Sequence, residues 1–485
     1  MPKPELMNER SLPKPSKHSL LASLGLQPAI VWIAVIGLAL LTLLCILLSA
    51  GAVLRMAFPL GASAIGLFLY LKYPLPYVSY TLWIWFMSPF VRRLADWKSG
   101  WQEPNPILLA PVLVTFITVL TLFRYLPNAR KERSLALVFP LIGITYALLI
   151  GLIQLPPAKV ILAFLNWVTP VLFGFHLFSH WREYPSYSKT LRTTFLWGVL
   201  ITGIYGVYQY IFAPEWDTFW LINSELTTGG NPEPYGMRVF STMNSPGPFS
   251  IVIMAGLLLL FSTYSPLQFP ATMGGYLSLL LTLVRSAWLG WAVGLLTLAT
   301  SLKSSLQIRL MLTIVVMVMC ILPLTTMDQF SESINSRFDT LSDLQNDQSF
   351  NDRSSNYEGN LNRALSEWIG KGLGGSGEHI DSAILDTLFS LGWPGTIFYV
   401  GGLLFLLINL FLQSEGGSDS FASAARGICL SIFVMLIFSS LMLGITGIVF
   451  WGFLGIGNAA NRYNKHQNQN QKQKQKQTYL YPTTR

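Results

Sequence analysis

Apolar stretches of about twenty residues, separated by short polar turns, dominate the chain from residue 29 onward. They predict membrane spans at Ala29–Ser49, Ala52–Leu71, from the Pro74-Leu75-Pro76 turn to near Phe90, and at Pro106–Phe123, Leu135–Ile153, Val160–Phe178 and Thr193–Phe212. Further apolar runs lie at Ile251–Phe261, Gly274–Leu298, Arg309–Thr325, Thr396–Leu412 and Arg426–Trp451, the last read as a tight hairpin. Most approach the ~20 residues that a bilayer needs, Ile251–Phe261 being shorter. The pattern predicts an all-α fold, a polytopic transmembrane helix bundle of about 12 to 14 helices.

The polar segments organise the rest. Residues 1–28 read as a cytoplasmic tail, 29–461 as the bundle, and 462–485 as a disordered cytoplasmic tail of low complexity. Two long polar loops interrupt the bundle, 213–248 and 327–395. The longer carries an amphipathic pattern, with Tyr357, Leu361, Leu365 and Trp368 at helical spacing. Basic residues gather after spans four and six and before Arg309, as in Arg124–Arg133. By the positive-inside rule these turns are cytoplasmic and both long loops lie on the outer face. Phe90 ends the third span, and Arg92, Arg93, Asp96 and Lys98 then read as a charged loop with no assigned role.

Composition agrees: 52% of the 485 residues are hydrophobic and 11% are charged, against about 25% charged in soluble domains. The net charge of +9 therefore reads as cytoplasmic loops rather than as a nucleic-acid surface. Cys45, Cys320 and Cys429 all fall in apolar runs, which suits packing rather than a disulfide or metal cluster. No cleaved signal peptide is expected at the N-terminus.

Candidate chemistry collects in arginines. Arg285 stands inside an apolar run, where a charge costs about 2.5–3.5 kcal/mol on insertion scales. It either faces the protein interior or snorkels to the interface. Arg238 precedes Asn244, Pro246 and Pro248, which break the chain before a helix. Arg353 and Arg363 lie in the larger loop, where they would bind lipid headgroups or an anionic substrate. The planar fork of arginine matches phosphate. No DxD run or P-loop is present, so a phosphate ligand would be held by arginine and no metal or cofactor is expected. A lipid diphosphate fits, with its tail in the bilayer and its sugar in an outer cavity. Transfer of that sugar needs stabilisation of the departing diphosphate and a general base for the acceptor hydroxyl. Glu378, His379 and Asp381 are available at the end of the loop, a solvated side chain being the plain reading of His379.

Three blocks resemble the O-antigen ligase and polymerase superfamily, polytopic transferases resembling the C-type membrane glycosyltransferases. The first is Arg238-Val-Phe-Ser-Thr-Met-Asn-Ser-Pro246. The second is Leu281-Thr-Leu-Val-Arg-Ser-Ala-Trp-Leu289. The third joins Arg353 and Tyr357 to Gly372-Leu-Gly-Gly375, Asp381-Ser-Ala-Ile-Leu385 and Gly392-Trp-Pro-Gly395. The resemblance implies an undecaprenyl-diphosphate-linked glycan donor, a glycan or lipid-linked acceptor, a bacterial inner membrane and cytoplasmic termini. It assigns the diphosphate to Arg238, Arg285 and Arg353, with Arg363 and Glu378 as further contacts. Chain-length regulators or flippases are the implied protein partners, beside membrane lipids. The alignment puts Asp381 rather than His379 on the family's catalytic histidine and Ser382 on the asparagine that follows it, so the base is Asp381 or its neighbour His379. This departure favours polymerase-like over ligase-like activity. Two other classes compete: a transporter of small anions such as bicarbonate, and a non-catalytic scaffold.

Overall fold

The computed structural model describes residues 29–128, 134–301, 359–375, 382–412, 419–436 and 442–480, with isolated positions at 308, 311 and 315. The fold is all-α. A single isolated bridge, Gly230 to Met237, is the extended pairing among the described residues. The helices are α1 (Ala29–Leu47), α2 (Gly51–Lys72), α3 (Pro74–Ser99), α4 (Leu109–Phe116), α5 (Val119–Tyr125), α6 (Leu135–Gln154), α7 (Pro157–Ser179) and α8 (Tyr184–Phe212). There follow α9 (Glu215–Ser224), α10 (Pro246–Leu260), α11 (Gln268–Leu281), α12 (Arg285–Ser301), α13 (Ala383–Leu412), α14 (Ser420–Met435) and α15 (Gly444–Leu480). Among the described residues seven helical stretches are long and apolar enough to cross a membrane. The expected polytopic helical bundle is therefore the fold.

A helix satisfies every backbone group within itself, which is what hydrocarbon demands. Outward-facing side chains such as Leu40, Leu60, Ile153 and Leu412 are exposed, as lipid contact requires. Helix–helix contact uses small residues where backbones meet. The closest pairings are α6 with α13, α7 with α15, α8 with α11, and α12 with α14. Gly174 of α7 and Gly455 of α15 show why: a Cβ on Gly455 would lie 2.2 Å from the carbonyl oxygen of Gly174.

Several boundaries differ from the sequence reading: α8 starts at Tyr184 rather than Thr193, and α13 starts at Ala383, inside the stretch read as an outer loop. Helix α3 runs through to Ser99, and its Arg92, Arg93 and Asp96 are buried side chains rather than a loop. Each finds a partner, as set out below, so the charges do not end the helix. Helix α15 continues from the bundle through the polar stretch after Arg462, where Gln and Lys are good helix formers.

Helix α8 fixes the long dimension. Its 29 residues span roughly 43 Å at 1.5 Å per residue. The turn Trp181–Glu183 stands at one end, and α9 with the Arg238 segment stands at the other.

Candidate functional site

The second sequence block is a break between two helices. Helix α11 stops at Leu281, Leu283 takes a left-handed backbone (φ 52°), and α12 starts at Arg285. The Thr282 hydroxyl donates to the Leu279 carbonyl at 2.7 Å, and the Val284 amide donates to that hydroxyl at 3.3 Å. The last carbonyls of a helix have no partner inside it, and here the first sequence block supplies them. The Val239 amide donates to Leu281 O at 3.0 Å. Arg238 donates from Nε to Thr282 O and from Nη2 to Leu283 O, both at 3.0 Å. Arg238 and Arg285 are half-buried. The fold thus brings together two of the three arginines expected to hold a diphosphate. Arg285 stands at the first position of α12, where its cation lies at the positive end of that helix's dipole.

The Arg238 segment is held from beneath by a buried polar cluster. Arg93 and Asp217 form an ion pair with both side chains fully buried. Arg93 also donates to the carbonyl of Ser241. The second carboxylate oxygen of Asp217 accepts from Tyr205 Oη at 2.7 Å and Gln209 Nε2 at 2.8 Å. Gln209 Oε1 in turn accepts the backbone amides of Phe240 at 3.0 Å and Ser241 at 2.8 Å. Ser241 has φ 50°, and its hydroxyl donates to Thr202 O at 2.6 Å. Burial pushes the Asp217 carboxyl up, while Arg93, Tyr205 and Gln209 pull it down. The Arg93 guanidinium also lies 4.9 Å from the Phe240 ring. A neighbouring cluster centres on Asp96, which accepts from Arg55 at 2.8 Å, Arg92 at 3.2 Å and Asn105 at 2.9 Å. Arg92 lies over both Trp101 and Trp220, 4.9 Å and 4.8 Å from the ring centres, and the two rings touch each other with centres 5.2 Å apart.

The third block is brought together at a second break. Helix α13 contains Gly392 with φ 61° and ψ −178°, a conformation almost confined to glycine. The glycine-rich turn docks there. Lys371 N donates to Phe389 O at 2.7 Å, Trp393 N to Trp368 O at 3.0 Å, and Leu373 N to Ala147 O at 3.0 Å. The helical segment 359–366 packs Ala364 and Leu361 against Leu385, Leu388 and Phe389, while Leu365 and Trp368 stay exposed. The packed face is thus Leu361 and Ala364 rather than the expected stripe of Tyr357, Leu361, Leu365 and Trp368, of which Tyr357 lies outside the described residues, and Arg363 holds an exposed position.

Arg353, Glu378, His379 and Asp381 lie outside the described residues. Their neighbour Ser382 is buried with its hydroxyl unpartnered. The next amide, Ala383 N, donates to Leu436 O at 3.1 Å, just after α14. The preceding Met435 packs against Gly290, five residues beyond Arg285 in α12. The first two blocks and the described parts of the third thus stand at the same end of the bundle. The sequence reading missed Arg93 and Asp217, whose pairing spans 124 positions. Their signal was a pair of adjacent arginines about five turns beyond Pro74 and an aspartate in an aromatic outer loop. Compared with known proteins, the chain matches no family model and no curated protein.

Proposed function

We propose that this chain is a membrane glycosyltransferase that uses a lipid-diphosphate-linked oligosaccharide as donor, of the O-antigen ligase and polymerase type, acting at the outer face of a bacterial inner membrane. The observation that carries the reading is the helix break at 282–284, where Arg238 caps the carbonyls of α11 beside the start of α12 at Arg285. Two guanidinium groups and a helix N-terminus at one point suit a dianionic leaving group. The acceptor hydroxyl attacks the anomeric carbon, and the bond from that carbon to the diphosphate oxygen breaks. The lipid diphosphate leaves with the electron pair, its charge held by Arg238, Arg285 and Arg353. The hydroxyl proton passes to Asp381 or His379. Rigid support beneath the loop serves such chemistry, because small displacements of binding groups cost rate.

A second reading, a transporter of small anions, draws on the two helix breaks at Leu283 and Gly392, since discontinuous helices mark ion sites in transporters. One experiment separates the two. The full chain in nanodiscs is given an undecaprenyl-diphosphate oligosaccharide, and release of undecaprenyl diphosphate is followed with glycan length. The transferase reading expects release with chain extension, reduced about a hundredfold or more in Arg285→Ala and abolished in Asp381→Ala or in a His379→Ala variant. No turnover with several lipid-linked glycans, together with Arg285-dependent bicarbonate flux in liposomes, would favour the transporter.

A further inference from the structure

The other end of the bundle carries a second concentration of cations. The turn Trp181–Glu183 joins α7 to α8 there, and α15 passes beside it. Trp181 is buried. Arg462 lies 4.3 Å and Arg182 4.6 Å from its ring centre, and the His466 ring meets it edge-on at 5.5 Å. Together with Lys465 and Gln469 these residues line a cavity of about 290 Å³. A single water needs about 10–15 Å³ of such space, so this recess, open on one side, is large enough for a headgroup.

The lining holds three fixed cations and a histidine, and no carboxylate. Arg462 lies three residues before Lys465 and four before His466, and Gln469 lies three beyond His466, on one face of α15. Arginine from two separate elements, with a lysine and an amide donor, matches the oxygens of a phosphate. The surroundings identify the source. Arg462 also lies 5.9 Å from the ring of Phe178, in the last turn of the spanning helix α7. At the same end Phe123 is 68% exposed and Leu126 is 40% exposed, so apolar side chains face lipid at this level. Tryptophan with long basic side chains is the composition of a membrane interface.

The geometry points to a binding site for the phosphate headgroup of an anionic phospholipid, formed by Arg182, Arg462, Lys465 and His466 around Trp181. It stands a bundle length from the Arg238 end and does not depend on the proposed transferase activity. A lipid wedged there ties α15 to the α7–α8 turn, and the site therefore also acts as a clamp between the last helix and the middle of the chain.

The test uses the full chain in zwitterionic nanodiscs, with short-chain phosphatidylglycerol, short-chain phosphatidylcholine and inorganic phosphate as calorimetric titrants. Phosphatidylglycerol is expected to bind, phosphatidylcholine not, and Arg462→Gln to weaken binding about fivefold. Lys159→Gln, an exposed cation at the other end of α7, should leave it unchanged. Should Arg462→Gln fold poorly, the exposed Lys465→Gln serves in its place. Inorganic phosphate binding as tightly, with the same Arg462 dependence, would overturn the lipid as the source while keeping a phosphate site. Equal binding of the two phospholipids, or equal effects of Arg462→Gln and Lys159→Gln, would overturn the site altogether.

Discussion

Arg93 gives one guanidinium nitrogen to Asp217 and another to the carbonyl of Ser241, with no solvent contact on either partner's side chain. Burying both charges is costly, and hydrophobic replacement of such pairs is often neutral or stabilising. Removal of one partner differs, because it leaves the other charge buried alone, at about 3–5 kcal/mol. Arg93→Met and Asp217→Leu are each expected to lower the thermal midpoint in detergent by several degrees, and the double variant by less than either. Additive losses would show that the two side chains do not act as a unit. The value of this pair lies in position: Asp217 also orders Gln209, whose amide oxygen receives the two amides that follow Val239. A clamp of this kind holds Arg238 where it meets the α11 carbonyls.

The two helix breaks decide where the sequence blocks meet. Gly392 needs its missing side chain twice over, since its φ is 61° and a Cβ would lie 2.3 Å from Ile369 O. Gly392→Ala should therefore cost at least about 1–3 kcal/mol of backbone strain, read as a lower midpoint and lower folded yield. Gly401→Ala in the same helix, with nothing within 4 Å of the added Cβ, should be silent; an equal loss at both positions would refute the account of the break. Gly392-Trp-Pro394 announces this break in the sequence. Thr282-Leu-Val284 does not: no glycine or proline stands there, and Arg285 inside the apolar run was its one signal. The spans themselves were legible because twenty apolar residues in a row have few other fates. The buried charges of α3 were not, since arginine and aspartate at a span end look like a loop until their distant partners are known.

At the scale of the molecule, polar function divides between two ends joined by α8. One end gathers Arg238, Arg285, the Arg93–Asp217 clamp and the docked glycine-rich turn. The other gathers the cations around Trp181. Orientation across the membrane was inferred from basic turns, and the same turns would put the Trp181 end in the cytoplasm and the helix breaks outside. The central claim is that the break between α11 and α12 holds a lipid diphosphate. Its most direct test is the affinity of the full chain in nanodiscs for a prenyl diphosphate, compared with the corresponding prenyl alcohol. The account predicts binding of the diphosphate alone, weakened tenfold or more by Arg285→Ala, about 1.4 kcal/mol for each factor of ten. Equal affinity for diphosphate and alcohol, or full affinity retained in Arg285→Ala, would contradict it.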